Sequence, residues 1–191
     1  MSVDRRKQIV EAATQSFALF GYKATTMDQV AKIAKVGKGT IYTFFTNKEE
    51  LFDEIIMQVI HEMKDIADGE IKEDSSFFDN LYRVLDRALE FRSRHELALK
   101  LSQELRDFGT PMAKEALNRI EGELLRYVER QLLLAMDKGD IAPGDTKIMS
   151  FVLVQLYKSL TTEWSKLYEP LDKETIKEHF LNYFVKGISV S

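Results

Sequence analysis

Apolar residues recur along this chain at intervals of three and four, and only three prolines interrupt them, so the pattern predicts helix nearly throughout. The stripe Ile9, Ala12, Ala13, Ser16, Phe17 and Phe20 predicts a first helix opening near Asp4 as its N-cap. Gly21 supplies a left-handed stop, with Tyr22 placed to pack back on the last turn. Thr26, with Gln29 three residues on, forms a capping box and opens a second helix that buries Met27, Val30, Ile33 and Ala34. A short third helix is expected over 38–45. Asn47-Lys48-Glu49-Glu50 repeats the capping-box pattern and opens a fourth, apolar at Leu51, Phe52, Ile55, Ile56, Val59, Ile60 and Met63 and running to Asp68.

The polar stretch 69–76 (GEIKEDSS) is the clearest internal boundary. Five more helices are expected beyond it, over 77–94, 96–108, 112–138, 146–168 and 173–188. Gly109-Thr110-Pro111, Gly139-Asp140, Pro143-Gly144-Asp145 and Glu169-Pro170 punctuate them. Asp172 is placed to cap the last, with Leu171 and Ile176 as a hydrophobic staple across it. The fold class is all-α, with about nine helices.

Composition narrows the chemistry. The 191 residues include no cysteine, which excludes disulfides, thiolate zinc sites and cysteine nucleophiles. His61, His95 and His179 are scattered, so no metal site and no cofactor are expected. No HExxH, Gly-rich phosphate loop or nucleophile–base constellation appears, so the chain is not expected to be an enzyme. Glu104 beside Arg106 and Glu163 beside Trp164 are the nearest candidates for buried acids, and both read as surface or ion-pair residues. No charge-free run is long enough to span a bilayer, and no apolar leader follows the early basic residues, so a cytoplasmic protein without a membrane partner is expected.

Charge is unevenly placed. The first fifty residues carry eight Lys/Arg against five acids, a net of +3, which leaves −7 for the rest within the total of −4. A basic head on an acidic body is the asymmetry expected when only the head meets phosphate.

Residues 26–45 have the length and capping of a helix-turn-helix. Gly21-Tyr22, Thr25-Thr26-Met27, Ile33-Ala34, Val36, Lys38-Gly39-Thr40-Ile41-Tyr42, Phe45 and Asn47-Lys48-Glu49-Glu50-Leu51 together closely resemble the tetracycline-repressor (TetR) family of bacterial regulators. The match covers about residues 5–52, and many spaced positions agree together.

Physical roles follow by position. Thr26 and the free amides of its helix start can bind a phosphate. Gly37, Lys38, Gly39 and Thr40 open the recognition helix, where base-edge contacts arise. Lys38 can reach a guanine edge or a phosphate, Thr40 a base or a thymine methyl, and Gly39 allows close approach. Tyr42 is expected to touch phosphate through its hydroxyl, and Thr43, one turn on, to face the base edges. Lys48 resembles the family's phosphate clamp. Ile41 and Phe45 are assigned to the core. Three positions depart from the family pattern: Lys35 stands where Gly is usual, at a cost of ~1 kcal/mol; Gly37 replaces a capping Ser; and Phe44 replaces a Tyr or His that could bond phosphate.

The resemblance implies residues 1–46 as the DNA-binding domain, 47–69 as a connecting helix and 70–191 as a ligand-binding and dimerisation domain. The expected partners are a palindromic double-stranded DNA operator, a small lipophilic or aromatic effector of unknown identity, and a second copy of the chain. Candidate pocket residues are Tyr82, Phe91, His95, Gln103, Asn118, Tyr127, Gln155 and Trp164, all of which also suit ordinary packing. The run 148–157 is apolar on more than one face, too much for one core-facing stripe. With the last helix it supplies the expected dimer interface, at Phe151, Val154, Phe180, Tyr183 and Phe184.

Overall fold

A computed structural model describes residues 2–90 and 95–188, with side chains at 5–90 and 96–184. The described residues contain α-helices and short helical turns, without strands. In chain order these are α1 (Ser2–Ala24), α2 (Met27–Ile33), α3 (Lys38–Tyr42), α4 (Lys48–Glu70), α5 (Phe77–Glu90), α6 (His95–Phe108), α7 (Pro111–Lys138), α8 (Thr146–Lys158) and α9 (Lys173–Ile188). They gather into two compact units. The first comprises the chain up to His61 together with α6 and α7 up to Ile120; the second holds the remainder of α4, α5, the remainder of α7, α8 and α9. This division differs from the expected one, because α6 packs on α1 rather than with the later helices.

In the first unit, Ile9, Ala13 and Phe17 of α1 meet Met27 and Val30 of α2, Ile41 of α3, Phe52 and Ile55 of α4, and Leu101 of α6 in one core. Phe17, Tyr22 and Phe52 form an aromatic knot with ring centroids 4.8–6.0 Å apart. Two expected core positions are exposed instead. Phe20 sits at the end of the α1 stripe, where Tyr22 takes over the inward position beyond Gly21. Ile33 yields to Ala31, so the buried stripe of the two-turn α2 is rotated by a residue.

The second unit packs Leu85 and Leu89 of α5, Leu132 and Ala135 of α7, Leu153 of α8 and Ile176, Phe180 and Phe184 of α9 around Ile141. Asp172 caps α9 as expected, its Oδ1 accepting from the Thr175 amide at 2.8 Å, and Ile176 behind it is fully buried. Lys177 is buried too, an outcome helical periodicity did not indicate. It donates to Asp86 at 2.6 Å and to Glu174, over the face of Tyr82 at 4.5 Å.

The expected eighth helix, 146–168, is α-helical only to Lys158; a π turn (Ser159–Glu163) and a 3-10 turn (Trp164–Lys166) follow. Within these turns Thr161 Oγ1 bonds the Tyr157 carbonyl at 2.7 Å and Ser165 Oγ that of Thr162 at 3.0 Å.

Val154, Phe180 and Phe184, expected at a dimer interface, lie instead in the second unit's own core, with 4% or less of each exposed. Phe151 and Tyr183 remain outward, at 53% and 67% exposed, as do Ile148 and Val152.

Candidate nucleic-acid interface

The interface is built on a fixed corner between α1 and α2. Gly21 breaks α1 with φ +82° and ψ 176°, a conformation open to glycine because it has no Cβ. The Thr25 hydroxyl donates back to the Gly21 carbonyl at 2.8 Å and meets the buried Ser16 hydroxyl at 3.2 Å. Thr26 then takes an extended conformation, and its hydroxyl accepts from the Gln29 amide at 3.2 Å, the expected cap of α2.

The turn between α2 and α3 is a Schellman motif. The Val36 amide reaches back to the Ala31 carbonyl at 3.0 Å and the Lys35 amide to that of Lys32 at 3.2 Å. Lys35 carries the motif at φ +54°, a left-handed position taken by a residue with a side chain. Gly37 caps α3 through its backbone alone. Ile41 and Phe45 anchor the short helix in the core, as expected. The opposite side of α3 is turned outward: Lys38, Gly39, Tyr42 and Thr43 are exposed and Thr40 half-buried. Nothing lies within 4 Å of where a Cβ on Gly39 would stand, so another surface can approach the backbone there.

The polar groups of this tip are partly engaged. The Lys38 ammonium pairs with Asp28 of α2 at 2.9 Å, and this hydrogen bond raises its pKa. Thr43 donates its hydroxyl to the Thr40 carbonyl at 2.7 Å, leaving the oxygen free to accept. Lys48 is half-buried: its ammonium donates to the carbonyls of Tyr22 at 3.0 Å and Thr25 at 3.1 Å and lies 4.2 Å from the Tyr22 ring centroid. Its first task is therefore to tie α4 to the corner, with one proton left over. Tyr22 donates to Glu49 at 2.6 Å; burial and that acceptor push the Tyr22 hydroxyl up, while the same bond holds Glu49 below the usual carboxylate range. Asn47 accepts from the Glu50 amide at 2.8 Å, the expected cap of α4, while Glu50 reaches back past the cap to the Thr46 amide at 2.7 Å. No role for Asp28 or Glu49 as a partner of Lys38 or Tyr22 was foreseen from the sequence, and Glu104, read there as a surface or ion-pair residue, is instead buried against the Lys23 amide; each acts on a partner that no local spacing announces.

The expected pocket residues divide between the units. Gln103 and Asn118 belong to the first, where Gln103 lines a 310 Å³ groove with Phe20, Lys23, Lys100 and Phe108. Tyr82, Tyr127, Gln155 and Trp164 belong to the second. There Tyr127 donates to Asp68 at 2.6 Å, Gln155 to Glu121 at 2.6 Å, and the Trp164 indole to the Glu169 carbonyl at 3.0 Å. Phe91 lies outside the described residues, as does the side chain of His95.

Two capped helices joined by a Schellman turn, with a polar tip held out by two buried anchors, define a helix-turn-helix protein. Residues 9–55 match the profile of bacterial regulatory proteins of the tetR family. Over all 191 residues of both chains, the sequence is 48% identical to an uncharacterized HTH-type transcriptional regulator, YhgD, of Bacillus subtilis. It is 25% identical over 183 residues to the fatty acid metabolism regulator protein of that organism, covering 95% of this chain and 94% of that one. The solved structure of the regulator FadR from Bacillus subtilis, in complex with stearoyl-CoA, is similar with a TM-score of 0.72 and 26% identity, covering 95% of this chain and 98% of that one. The chain belongs to the TetR family of bacterial transcriptional regulators, DNA-binding proteins rather than enzymes. Among the described residues, no helix is long and apolar enough to cross a membrane.

Proposed function

We propose that this chain is a dimeric, ligand-responsive repressor that grips a palindromic operator through the tip of α3. The observation that carries the reading is the division within α3 itself: Ile41 is fully buried while Lys38, Gly39, Tyr42 and Thr43 face solvent. Lys38 and Thr43 address base edges, Thr40 supports them, and Tyr42 and the Thr26–Met27 helix start take phosphates. Gly37 leaves the approach to the tip unobstructed. The remaining proton of Lys48 can serve a phosphate beside the corner that it braces.

One α3 tip spans few base pairs, so specificity calls for two tips about 34–36 Å apart or a multiple of that. Ile148, Phe151 and Val152 of α8, with Tyr183 of α9, supply an apolar face suited to a second copy. The effector we propose is lipophilic and binds the helices beyond the motif. Long-chain acyl thioesters are the first class to test, because the FadR relative was solved with stearoyl-CoA. Binding would favour a conformation in which the two tips no longer match the operator spacing, lowering affinity by the effector's preference between the two states.

Selection from a random DNA pool, followed by footprinting, tests this reading. A short palindrome should be enriched, its affinity should fall steeply with salt, and stearoyl-CoA should release it. Enrichment of a single unpaired half-site, or binding indifferent to salt, would overturn it.

A further inference from the structure

We propose that Glu104, on α6, is a positioning residue for operator binding: its carboxylate clasps the break in α1 and so sets the corner from which α2 and α3 depart. Glu104 is 5% exposed, so its carboxylate cannot itself meet DNA. Its Oε1 accepts from the Lys23 amide at 2.9 Å. Because Gly21 interrupts α1 two residues earlier, that amide begins a resumed helical turn, where donors lack the usual acceptor four residues back. Glu104 supplies that acceptor from a helix 81 positions away in sequence.

The fit is close. A Cβ built on Gly21 would stand 2.2 Å from Glu104 Oε2, so the carboxylate occupies the room that the glycine leaves. Among the described residues its Oε2 has no hydrogen-bond partner, a costly condition for a buried oxygen. An apolar side chain would pack this site without that cost, which points to the bond made by Oε1 as the reason for the acid. The segment 21–25 is thus held from two sides. Lys48 of α4 takes the carbonyls of Tyr22 and Thr25, and Glu104 of α6 takes the amide of Lys23. Thr26, the cap of α2, follows immediately, so a shift of this segment carries the helix-turn-helix with it.

The inference rests on the tip of α3 being the DNA-reading surface, and its test separates the two. Glu104→Leu removes the acceptor; Glu104→Asp keeps the charge but shortens the reach by a methylene; Glu104→Gln keeps both reach and acceptor. Each full-length variant is measured for operator affinity over a salt series, for melting temperature, and for hydrogen exchange of the Lys23 amide without DNA. The operator is a fragment selected by the wild-type protein. The expected result is an affinity about tenfold weaker for the Leu and Asp variants while they remain folded, with an unchanged salt slope because no phosphate contact is lost, and with faster Lys23 exchange. The Gln variant should stay within about twofold of wild type in affinity and keep its amide protection. Wild-type affinity in the folded Asp variant, or a Gln variant as weak as the Asp one, overturns the proposal. Failure of the wild-type protein to select any operator would count against the reading of the tip instead, and the exchange rates would still decide whether the clasp exists.

Discussion

At the tip of the first unit the side chains turned to solvent are Lys38, Tyr42 and Thr43 beside the bare Gly39, whereas along α8 of the second they are Ile148, Phe151 and Val152. Both surfaces lie on helices whose other side is anchored in a core, so neither is an accident of poor packing. The difference lies in what could cover each without cost. Polar groups and an open backbone suit hydrated phosphates and base edges, while exposed aromatic and branched residues gain from another apolar surface. The two lysines with the most work to do repeat the contrast. Lys48 and Lys177 each lie over a tyrosine ring, but Lys48 satisfies backbone carbonyls and thereby shapes a turn, while Lys177 satisfies carboxylates and thereby joins two helices.

The largest effect should come from making the apolar face resemble the polar one. Phe151→Glu places a charge on the surface assigned to a second copy. We expect a monomer by light scattering and operator affinity reduced by at least about 100-fold, since two linked half-site contacts become one. A monomer that still binds the full palindrome with wild-type affinity would separate the two surfaces, and the spacing argument would fail.

The lysine pair gives the next effect. Lys48→Met leaves the Tyr22 and Thr25 carbonyls short of their donor and should cost about 2 kcal/mol in urea unfolding. Lys177 behaves otherwise. Hydrogen bonds from Lys173 and Lys177 hold Asp86 below its ordinary value of 3.8, and the bond to Asp86 raises Lys177 above 10.5. A depressed carboxylate contributes stability in full above its ordinary value and loses it as pH falls through the folded one. The raised lysine contributes in full below 10.5 and loses its share only in strong alkali. The second unit should therefore weaken below about pH 4, as followed by the fluorescence of Trp164, the sole tryptophan, and Lys177→Met should flatten that acid limb.

What was legible in the sequence follows the same division between local and distant causes. The caps at Thr26, Asn47 and Asp172, the strained Lys35 and the anchors Ile41 and Phe45 are decided within a few residues, and all appear where the pattern places them. Glu104 and Lys177 are decided by partners 81 and 91 positions away. Helical periodicity says which side of a helix is apolar but not which neighbour will arrive, so a charged residue that interrupts a stripe looks solvated until its partner is known. The same limit misplaced Val154, Phe180 and Phe184: two apolar sides on one helix signal two neighbours, without saying which of them belongs to the same chain.

A smaller effect concerns the tip itself. Asp28 holds Lys38 in an exposed pair and adds a negative charge to the surface proposed to meet DNA. Asp28→Asn should free the lysine and tighten operator binding by about fivefold at low salt, with the gain shrinking as salt rises. Lys38→Ala should weaken binding and relax the sequence preference at the base it addresses. If Asp28→Asn instead weakened binding, the pair would be orienting Lys38 toward its base rather than restraining it.

The smallest effect compares two turns of the same design, one in each unit. α7 ends with Gly139 at φ +77°, its amide bonded to Met136 and the Asp140 amide to Ala135; α2 ends with Lys35 at φ +54° in the same hydrogen-bond pattern. The glycine adopts this conformation without a Cβ clash, while the lysine bears ~1 kcal/mol of strain. Lys35→Gly should relieve that strain but restore freedom to the unfolded chain, for a net gain of about 0.5 kcal/mol. Gly139→Ala should cost about 1 kcal/mol, because strain enters a turn built without it. Thermal melts of the two variants must therefore move in opposite directions. A loss of stability in both would mean that the Lys35 side chain contributes more through its surroundings than its backbone gives up, and the turn could no longer be explained by conformation alone.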